Sequence, residues 1–263
     1  VGNDLFELAN KWLRHLPGGL GIATVMACAV FAAITGSSVA CAVTIGAIAI
    51  PEMLARGYDR PLVLGAVAAG GTLGILIPPS IPMILYGAIT DESIGKLFMS
   101  GVVPGVIMTL MFTAIVVYRS RNLQREAAAT WDERISALKK SIWGLFLPII
   151  VVGGIYTGIF TPTEAAGIGT VYSLFITFCV YRTLSFKDMP GILNDTIKTT
   201  CMIFAIMIGA SLFGFVLTIL DAPQALTNYV AGLETSRWVV FIAINCLLLF
   251  LGCILESVSI IFI

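Results

Sequence analysis

Four small residues in the middle of an uncharged segment are the first candidates for chemistry. Thr35–Ser38 reads Thr-Gly-Ser-Ser and lies near the centre of Gly19–Ile50, a run of 32 residues without Asp, Glu, Lys or Arg. Hydroxyl and backbone oxygens at a helix break can hold a monovalent cation or the polar groups of a solute. The alternative is close packing of membrane helices through small residues. Because so long an apolar run is interrupted at its centre, we favour binding.

A second interruption follows in the next uncharged segment. Ile77–Pro82 reads Ile-Pro-Pro-Ser-Ile-Pro and divides the apolar run Leu62–Thr90. Adjacent prolines remove two amide donors, so the carbonyls they leave unpaired need a cation, a water or another helix. The alternative is a structural kink in one spanning helix. If the two breaks met at one depth, their helix ends would offer carbonyls to a cation and N–H groups to an anion.

Enzymatic chemistry has little support in the residue inventory. His15 is the only histidine, the six cysteines form no C-x-x-C pair, and no glycine-rich phosphate loop or metal-ligand cluster is apparent. The acids nearest the apolar segments are Glu164, in a turn, and Glu256, close to the end of the chain. A carboxylate at membrane depth is a functional candidate, which makes Glu256 the more interesting of the two.

Composition predicts an all-α polytopic membrane protein. Hydrophobic residues make up 58% of the chain, charged residues 11%, and the mean hydropathy is +1.00. Soluble domains carry about 25% charged residues. The formal net charge is zero, so nothing suggests a nucleic-acid partner, and the expected surroundings are a lipid bilayer. Because the chain starts at Val1 and stops within an apolar run, we expect a fragment of a longer protein.

The pattern of apolar and polar segments predicts the order of the elements. The pieces Leu20–Ile34 and Val39–Ile50 give helices of about 22 Å and 18 Å, too short to cross a core of about 30 Å alone. We therefore expect a re-entrant hairpin with its tip near the midplane. The full prediction begins with an interfacial amphipathic helix (1–18) and a first transport unit (19–118), which contains hairpin 19–50, broken helix 62–90 and spanning helix 99–118. The next segment (119–199) contains a cytoplasmic connection (119–140) and spanning helices 141–160 and 165–181. The chain then enters the start of a second, truncated repeat (200–263).

Charge distribution and an internal repeat support this topology. With the hairpin entering and leaving on one side, thirteen Lys and Arg residues share that side and only Lys96 and Arg237 lie opposite, so the first side is predicted to be cytoplasmic. Leu8–Asn10 and Leu226–Asn228 each open an amphipathic segment. Each segment leads to a small-residue cluster, 36–38 or 255–259, at an offset of roughly 218–220 residues. The topology makes this an inverted repeat, typical of secondary transporters.

Several motifs together resemble one transporter family. They are 17–23 (PGGLGIA), 31–40 (FAAITGSSVA), 50–53 (IPEM), 70–80 (GGTLGILIPPS), 160–166 (FTPTEAA) and 209–213 (GASLF). In this order they resemble the large membrane subunit of tripartite ATP-independent periplasmic (TRAP) transporters, the DctM-like permeases. The resemblance extends over essentially the whole chain.

The resemblance implies a fold and an activity. The expected fold has inverted repeats with re-entrant helical hairpins and broken helices, like that of the ion-transporter superfamily, and works by an elevator motion. The expected activity is sodium-coupled import of a small organic-acid (carboxylate) solute across a bacterial or archaeal inner membrane. A small membrane subunit and a periplasmic solute-binding protein are the expected partners.

The resemblance also implies a set of site residues. The sodium ligands would be Thr35 and Ser37 together with the backbone carbonyls of Gly74, Ile77 and Pro79. Thr35 stands where the family has serine but retains the hydroxyl. Two further serines would face the solute, namely Ser38 and Ser80. A second ion site and half of the solute site would fall outside this sequence.

Three other functions remain open at this point. A non-transporting scaffold or assembly subunit would tolerate alanine at the candidate ligands. An ion channel would conduct far faster than a carrier, and an intramembrane enzyme would need His15. The identity of the solute also stays open, between C4-dicarboxylates, sialic acid and other organic acids.

Overall fold

The computed structural model describes residues 1–121, 123, 126–232, 236–255 and 257–261. Over these residues the chain is helical and contains no strand, which confirms the predicted all-α class. The chain divides into two compact units, Val1–Thr183 and Leu184–Ile263. Six helical segments of the described residues are long and apolar enough to span a membrane, so the chain is a multi-pass membrane protein.

The described residues of the first unit form eight α-helices. They are α1 (Gly2–Leu13), α2 (Gly19–Thr35), α3 (Ser38–Ala55), α4 (Arg60–Leu76), α5 (Ile81–Thr90), α6 (Ile94–Ser120), α7 (Trp131–Tyr156) and α8 (Pro162–Phe175), the last continuing as a π-helical segment, Ile176–Val180. Helices α7 and α8 begin at capping boxes, in which Thr130 and Thr161 exchange hydrogen bonds with Glu133 and Glu164. Glu164 therefore has a structural role at the start of α8.

Helices α2 and α3 form a helical hairpin. Gly36, with φ +62°, ends α2, and the side chain of Ser37 caps α3. Contacts between the two arms are nested, as antiparallel packing requires. From the tip outward they are the Cys41 thiol donating to the Cys28 carbonyl (3.4 Å), the Thr24 hydroxyl donating to Met53 Sδ (3.3 Å), and Tyr58 lying beside Gly21.

The hairpin arms are longer than the sequence led us to expect. Helix α3 continues through Pro51 to Ala55 and has 18 residues, which corresponds to about 27 Å. It is long enough to count among the six candidate spans. The predicted end at Ile50 followed the end of the uncharged run, but the helix continues because a proline removes only one backbone hydrogen bond and neighbouring helices can compensate. The length of α3 therefore no longer argues for re-entrance, whereas α2, with 17 residues, remains shorter than the candidate spans, and re-entrance stays a prediction.

Helix α1, predicted to be an interfacial amphipathic helix, packs against other helices of the first unit, and its position relative to the membrane stays a prediction. It packs along α7 in antiparallel order, with Val1 beside Gly144, the Ser141 hydroxyl on the Asp4 carbonyl (2.9 Å), and Lys11 paired with Glu133 (3.1 Å). Leu5 and Phe6 are only 2% and 3% exposed, in the core formed with α2 and α3. The amphipathic pattern is real, but its apolar face packs against protein.

Other boundaries differ because the helices extend into charged flanks. Helix α6 begins at Ile94 rather than at Met99, because a lysine such as Lys96 can be part of the first turn of a membrane helix. Residues 131–140 of the predicted connection form the first turns of α7, after the Thr130 capping box. Long charged side chains at such ends can reach water while their backbone remains helical.

The second unit contains α9 (Met189–Ile219), α10 (Ala222–Gly232), α11 (Arg237–Gly252) and α12 (Ser257–Ile261). Helices α10, α11 and α12 follow one another along the chain as α1, α2 and α3 do, and the inverted repeat stays a prediction. Glu256, the acidic candidate, lies outside the described residues.

Candidate functional site

The two helix breaks meet in the structure. The carbonyl of Gly36, at the hairpin tip, accepts a hydrogen bond from the Ile81 amide at the start of α5 (3.3 Å). A Cβ atom built on Gly36 would lie 2.5 Å from the Pro79 carbonyl oxygen. Gly36 thus satisfies two constraints that a larger residue would violate, a left-handed φ and a close backbone approach.

A second contact joins the hairpin to the last turn of α4. A Cβ built on Gly74 would lie 2.5 Å from the Ser37 carbonyl oxygen and 2.8 Å from the Ser38 nitrogen. The tip therefore lies directly against the α4 backbone. Gly70, Gly71 and Gly74 make this face of α4 narrow enough for the approach.

The prolines of the second break change the hydrogen bonding of α4. In a continuous helix the carbonyls of Gly74 and Ile75 would accept from residues 78 and 79, but both are prolines and have no N–H group. The Ser80 hydroxyl instead donates to the Ile75 carbonyl (2.6 Å). The Gly74 carbonyl is released from the helical pattern at the point where the hairpin tip packs.

The carbonyl of Ile77 also lacks its helical hydrogen bond, but for a different reason. Its helical partner would be the Ile81 amide, which donates to Gly36 instead. The arrangement brings together the C-terminal ends of α2 and α4 and the N-terminal ends of α3 and α5. Carbonyl-rich C-terminal ends favour a cation, and N-terminal ends favour an anion such as a carboxylate.

The five predicted sodium ligands lie in or beside these contacting segments. The Thr35 hydroxyl donates to the Phe31 carbonyl (3.1 Å), and the Ser37 hydroxyl accepts from the Ala40 amide (3.4 Å). Each hydroxyl oxygen keeps a further lone pair that could face a cation. Uncharged oxygens of this kind fit sodium as a donor set. Coordination by Thr35, Ser37, Gly74, Ile77 and Pro79 stays a prediction.

A cavity of about 190 Å³ adjoins the two breaks. Its wall near the breaks includes Thr35, Gly36 and Pro79, and its opposite wall comes from α7 and α8. The two serines predicted to face the solute are not among its lining residues. Ser80 is fully buried, with its hydroxyl bonded to Ile75, and Ser38 is half-buried at the start of α3. Solute contacts by Ser38 and Ser80 stay a prediction.

Two glycines of α6 lie against the second helix break. A Cβ on Gly101 of α6 would lie 2.6 Å from the Leu76 carbonyl, and one on Gly105 would lie 2.9 Å from Ile77. The second break is therefore level with Gly101–Gly105, inside the apolar length of α6. The depth of the tip in the membrane stays a prediction.

Sequence reasoning missed the far wall of the cavity. Val151 and Ile155 of α7 and Pro162 and Ala166 of α8 line it. All four are remote in sequence from both breaks. Pro162 and Ala166 belong to the motif at 160–166, but nothing in the sequence places that motif beside the breaks, and nothing distinguishes Val151 and Ile155 from neighbours that face lipid.

Comparison with known proteins identifies the family. Residues 1–263 match the model of the "Tripartite ATP-independent periplasmic transporter, DctM component" family. The chain is 42% identical over 265 residues to the C4-dicarboxylate TRAP transporter large permease protein DctM of Pseudomonas aeruginosa, covering 100% of this chain and 62% of the relative.

Two further relatives carry other solute names. The chain is 38% identical over 270 residues to the isethionate TRAP transporter permease protein DctMQ of Oleidesulfovibrio alaskensis (98% of this chain, 41% of the relative). It is 33% identical over 261 residues to the sialic acid TRAP transporter large permease protein SiaM of Vibrio cholerae (98% and 61%). The chain spans about three fifths of the length of the DctM and SiaM relatives. These matches confirm the resemblance inferred from the motifs, and the chain belongs to the DctM family, a transporter component and not an enzyme.

Proposed function

We propose that this chain is part of a sodium-coupled secondary transporter that imports a small organic-acid solute across the inner membrane of a bacterium or archaeon. The observation that carries the proposal is the contact between the two helix breaks, Gly36 against Pro79 and Ser37 against Gly74. Non-helical backbone at membrane depth is tolerated where it is buried in protein or lines a cavity, and this contact meets both conditions.

The proposed sodium ligands are the hydroxyl oxygens of Thr35 and Ser37 and the carbonyls of Gly74, Ile77 and Pro79. A bound sodium ion supplies a positive charge close to where the N-terminal ends of α3 and α5 would receive a carboxylate. The sodium ligands and these helix ends belong to the same two helix breaks. Binding of sodium, which orders the hairpin tip, therefore also orders the site for the solute, and binding of the solute orders the site for sodium. Coupling of this kind is reciprocal, so the solute should strengthen sodium binding by the same factor.

The proposed solute is a carboxylate or a similar small organic acid. The names of the relatives, for C4-dicarboxylate, sialic acid and isethionate, support an anionic solute. The proposed partners are a small membrane subunit and a periplasmic solute-binding protein. The family description and the name DctMQ of one relative support a multi-component assembly.

Uptake into liposomes tests this proposal. The full-length complex, with its binding protein present, is reconstituted and uptake is compared with and without an imposed sodium gradient. We expect the gradient to drive uptake, and uptake indifferent to sodium would contradict the coupling. Currents far above carrier turnover would indicate a channel instead.

Alanine variants then test the ligands. Thr35→Ala combined with Ser37→Ala should raise the sodium concentration needed for half-maximal uptake by about tenfold, which corresponds to about 1.4 kcal/mol. The control is Thr72→Ala, because Thr72 lies on α4 and donates to the Ala69 carbonyl (2.7 Å) but is exposed. Unchanged sodium dependence in the double variant would remove both hydroxyls from the site.

A further inference from the structure

An apolar groove of about 270 Å³ runs between α1, α2 and α7. Leu8 and Trp12 of α1, Met26 and Val30 of α2, and Leu138 of α7 are among its lining residues. Trp12, Met26 and Leu138 are exposed, so the groove opens to the surface of the first unit. Its walls could accommodate a stretch of hydrocarbon chain.

The positively charged side chain of Arg134 lies at one end of this groove, beside Trp12. The guanidinium carbon of Arg134 lies 5.7 Å from the ring centre of Trp12 and 5.2 Å from that of Trp131. The two indole rings pack edge to face, with centroids 6.4 Å apart. Cation–π contacts engage the faces of the rings, and the N–H groups of the guanidinium still need acceptors.

The neighbouring cations differ from Arg134 in having acidic partners. Lys11 and Arg14 each lie 3.1 Å from a carboxylate oxygen of Glu133. Within the part of the chain that the structure describes, no carboxylate lies at ion-pair distance from Arg134, and its Nε has no hydrogen-bond partner. Arg134 as a whole is half-buried. Its charge is thus available to a ligand that the chain does not supply.

The cation and the groove are continuous. Trp12 both lines the groove and contacts Arg134, and Leu138 lies one helical turn after Arg134 on the same face of α7. Helix α7 runs from the charged connection into its apolar part. The direction from Arg134 to Leu138 therefore leads from headgroup level toward acyl-chain level.

We propose that Arg134 and this groove bind one anionic phospholipid. Arg134 holds the phosphate through its terminal Nη–H groups, since its Nε is buried, and an acyl chain lies along Leu8, Met26, Val30 and Leu138. Arg pairs with phosphate by charge-assisted hydrogen bonds, and basic pockets between membrane helices suit anionic headgroups. Trp12 and Trp131 belong at the same interfacial level. The predicted topology places this lipid in the cytoplasmic leaflet, and the site is separate from the two helix breaks.

Native mass spectrometry of the full-length permease tests the proposal. The protein is titrated with phosphatidylglycerol, with phosphatidylcholine of the same acyl chains, and with glycerol 3-phosphate. We expect phosphatidylglycerol to bind more tightly than either of the others. Arg134→Gln should weaken phosphatidylglycerol binding by about five- to tenfold and abolish the preference over phosphatidylcholine. Arg134→Lys should keep the preference.

Two further variants complete the test. Lys139→Gln removes a charge from another face of α7, where Lys139 is exposed, and should leave binding unchanged. Ala9→Phe, which fills the groove, should weaken both phospholipids and remains informative if Arg134→Gln does not fold. Equal binding of the two phospholipids would overturn the proposal. So would equal effects of Arg134→Gln and Lys139→Gln, tight binding of glycerol 3-phosphate, or no effect of Ala9→Phe.

Discussion

The Ser37 carbonyl oxygen lies so close to Gly74 that a Cβ added there would be only 2.5 Å away. The hairpin tip and the broken helix are therefore in direct backbone contact. No flexible side chain lies between them that could move aside. Any side chain at residue 74 must separate the two breaks or distort one of them.

Gly74→Ala should lower sodium-driven uptake by at least about tenfold, because displacing the tip removes the Ser37 hydroxyl from the carbonyls of Gly74 and Ile77. The measurement is the initial uptake rate in liposomes containing the full-length complex. Gly65→Ala is the matched control on the same helix, since a Cβ there would meet no described atom within 4 Å. Equal rates for the two variants would show that the contact is not needed for transport.

Gly36→Ala should destabilise the protein more than Gly57→Ala. Both glycines have positive φ, +62° and +78°, so alanine at either position incurs a left-handed backbone cost of about 1–2 kcal/mol. Only Gly36 also meets a carbonyl oxygen, that of Pro79 at 2.5 Å, whereas Gly57 has open space among the described residues. The melting temperatures of the two variants measure the difference. Similar melting temperatures would show that the tip can withdraw from Pro79 without cost.

Ser80→Ala should destabilise the protein by about 1–3 kcal/mol, because it removes a fully buried hydroxyl and leaves the half-buried Ile75 carbonyl without the donor that replaces the missing Pro79 amide. Ser100→Ala removes a similar bond, to the Leu97 carbonyl at 2.7 Å, but at an exposed position, and should have little effect. Thermal unfolding of both variants in the same detergent tests this. An equal loss in both would mean that Ser80 does not stabilise the break.

The position of each break could be predicted from the sequence, but the contact between them could not. A glycine among hydroxyl residues at 35–38 and adjacent prolines at 78 and 79 weaken a helix through effects that are local to the chain. That Gly36 meets Pro79 and Ser37 meets Gly74 depends on how α2, α3 and α4 pack. The sequence does not show which residues approach the glycines of α4.

Packing also decided the features that sequence reasoning missed. The amphipathic pattern of α1 is the same whether its apolar face meets lipid or protein, and only the structure shows Leu5 and Phe6 in the core. Similarly, Val151 and Ile155 resemble any other apolar residues of a spanning helix until α7 is placed beside the tip.

The central claim is that the two contacting helix breaks hold the sodium ion. An experimental map of the full-length complex, obtained once in sodium and once in choline, tests it most directly. We expect density in sodium alone between the tip, Thr35–Ser37, and the broken helix at Gly74–Pro79, with oxygen ligands from both segments. Identical maps at this position in the two salts, or sodium density bounded by other residues only, would contradict the account.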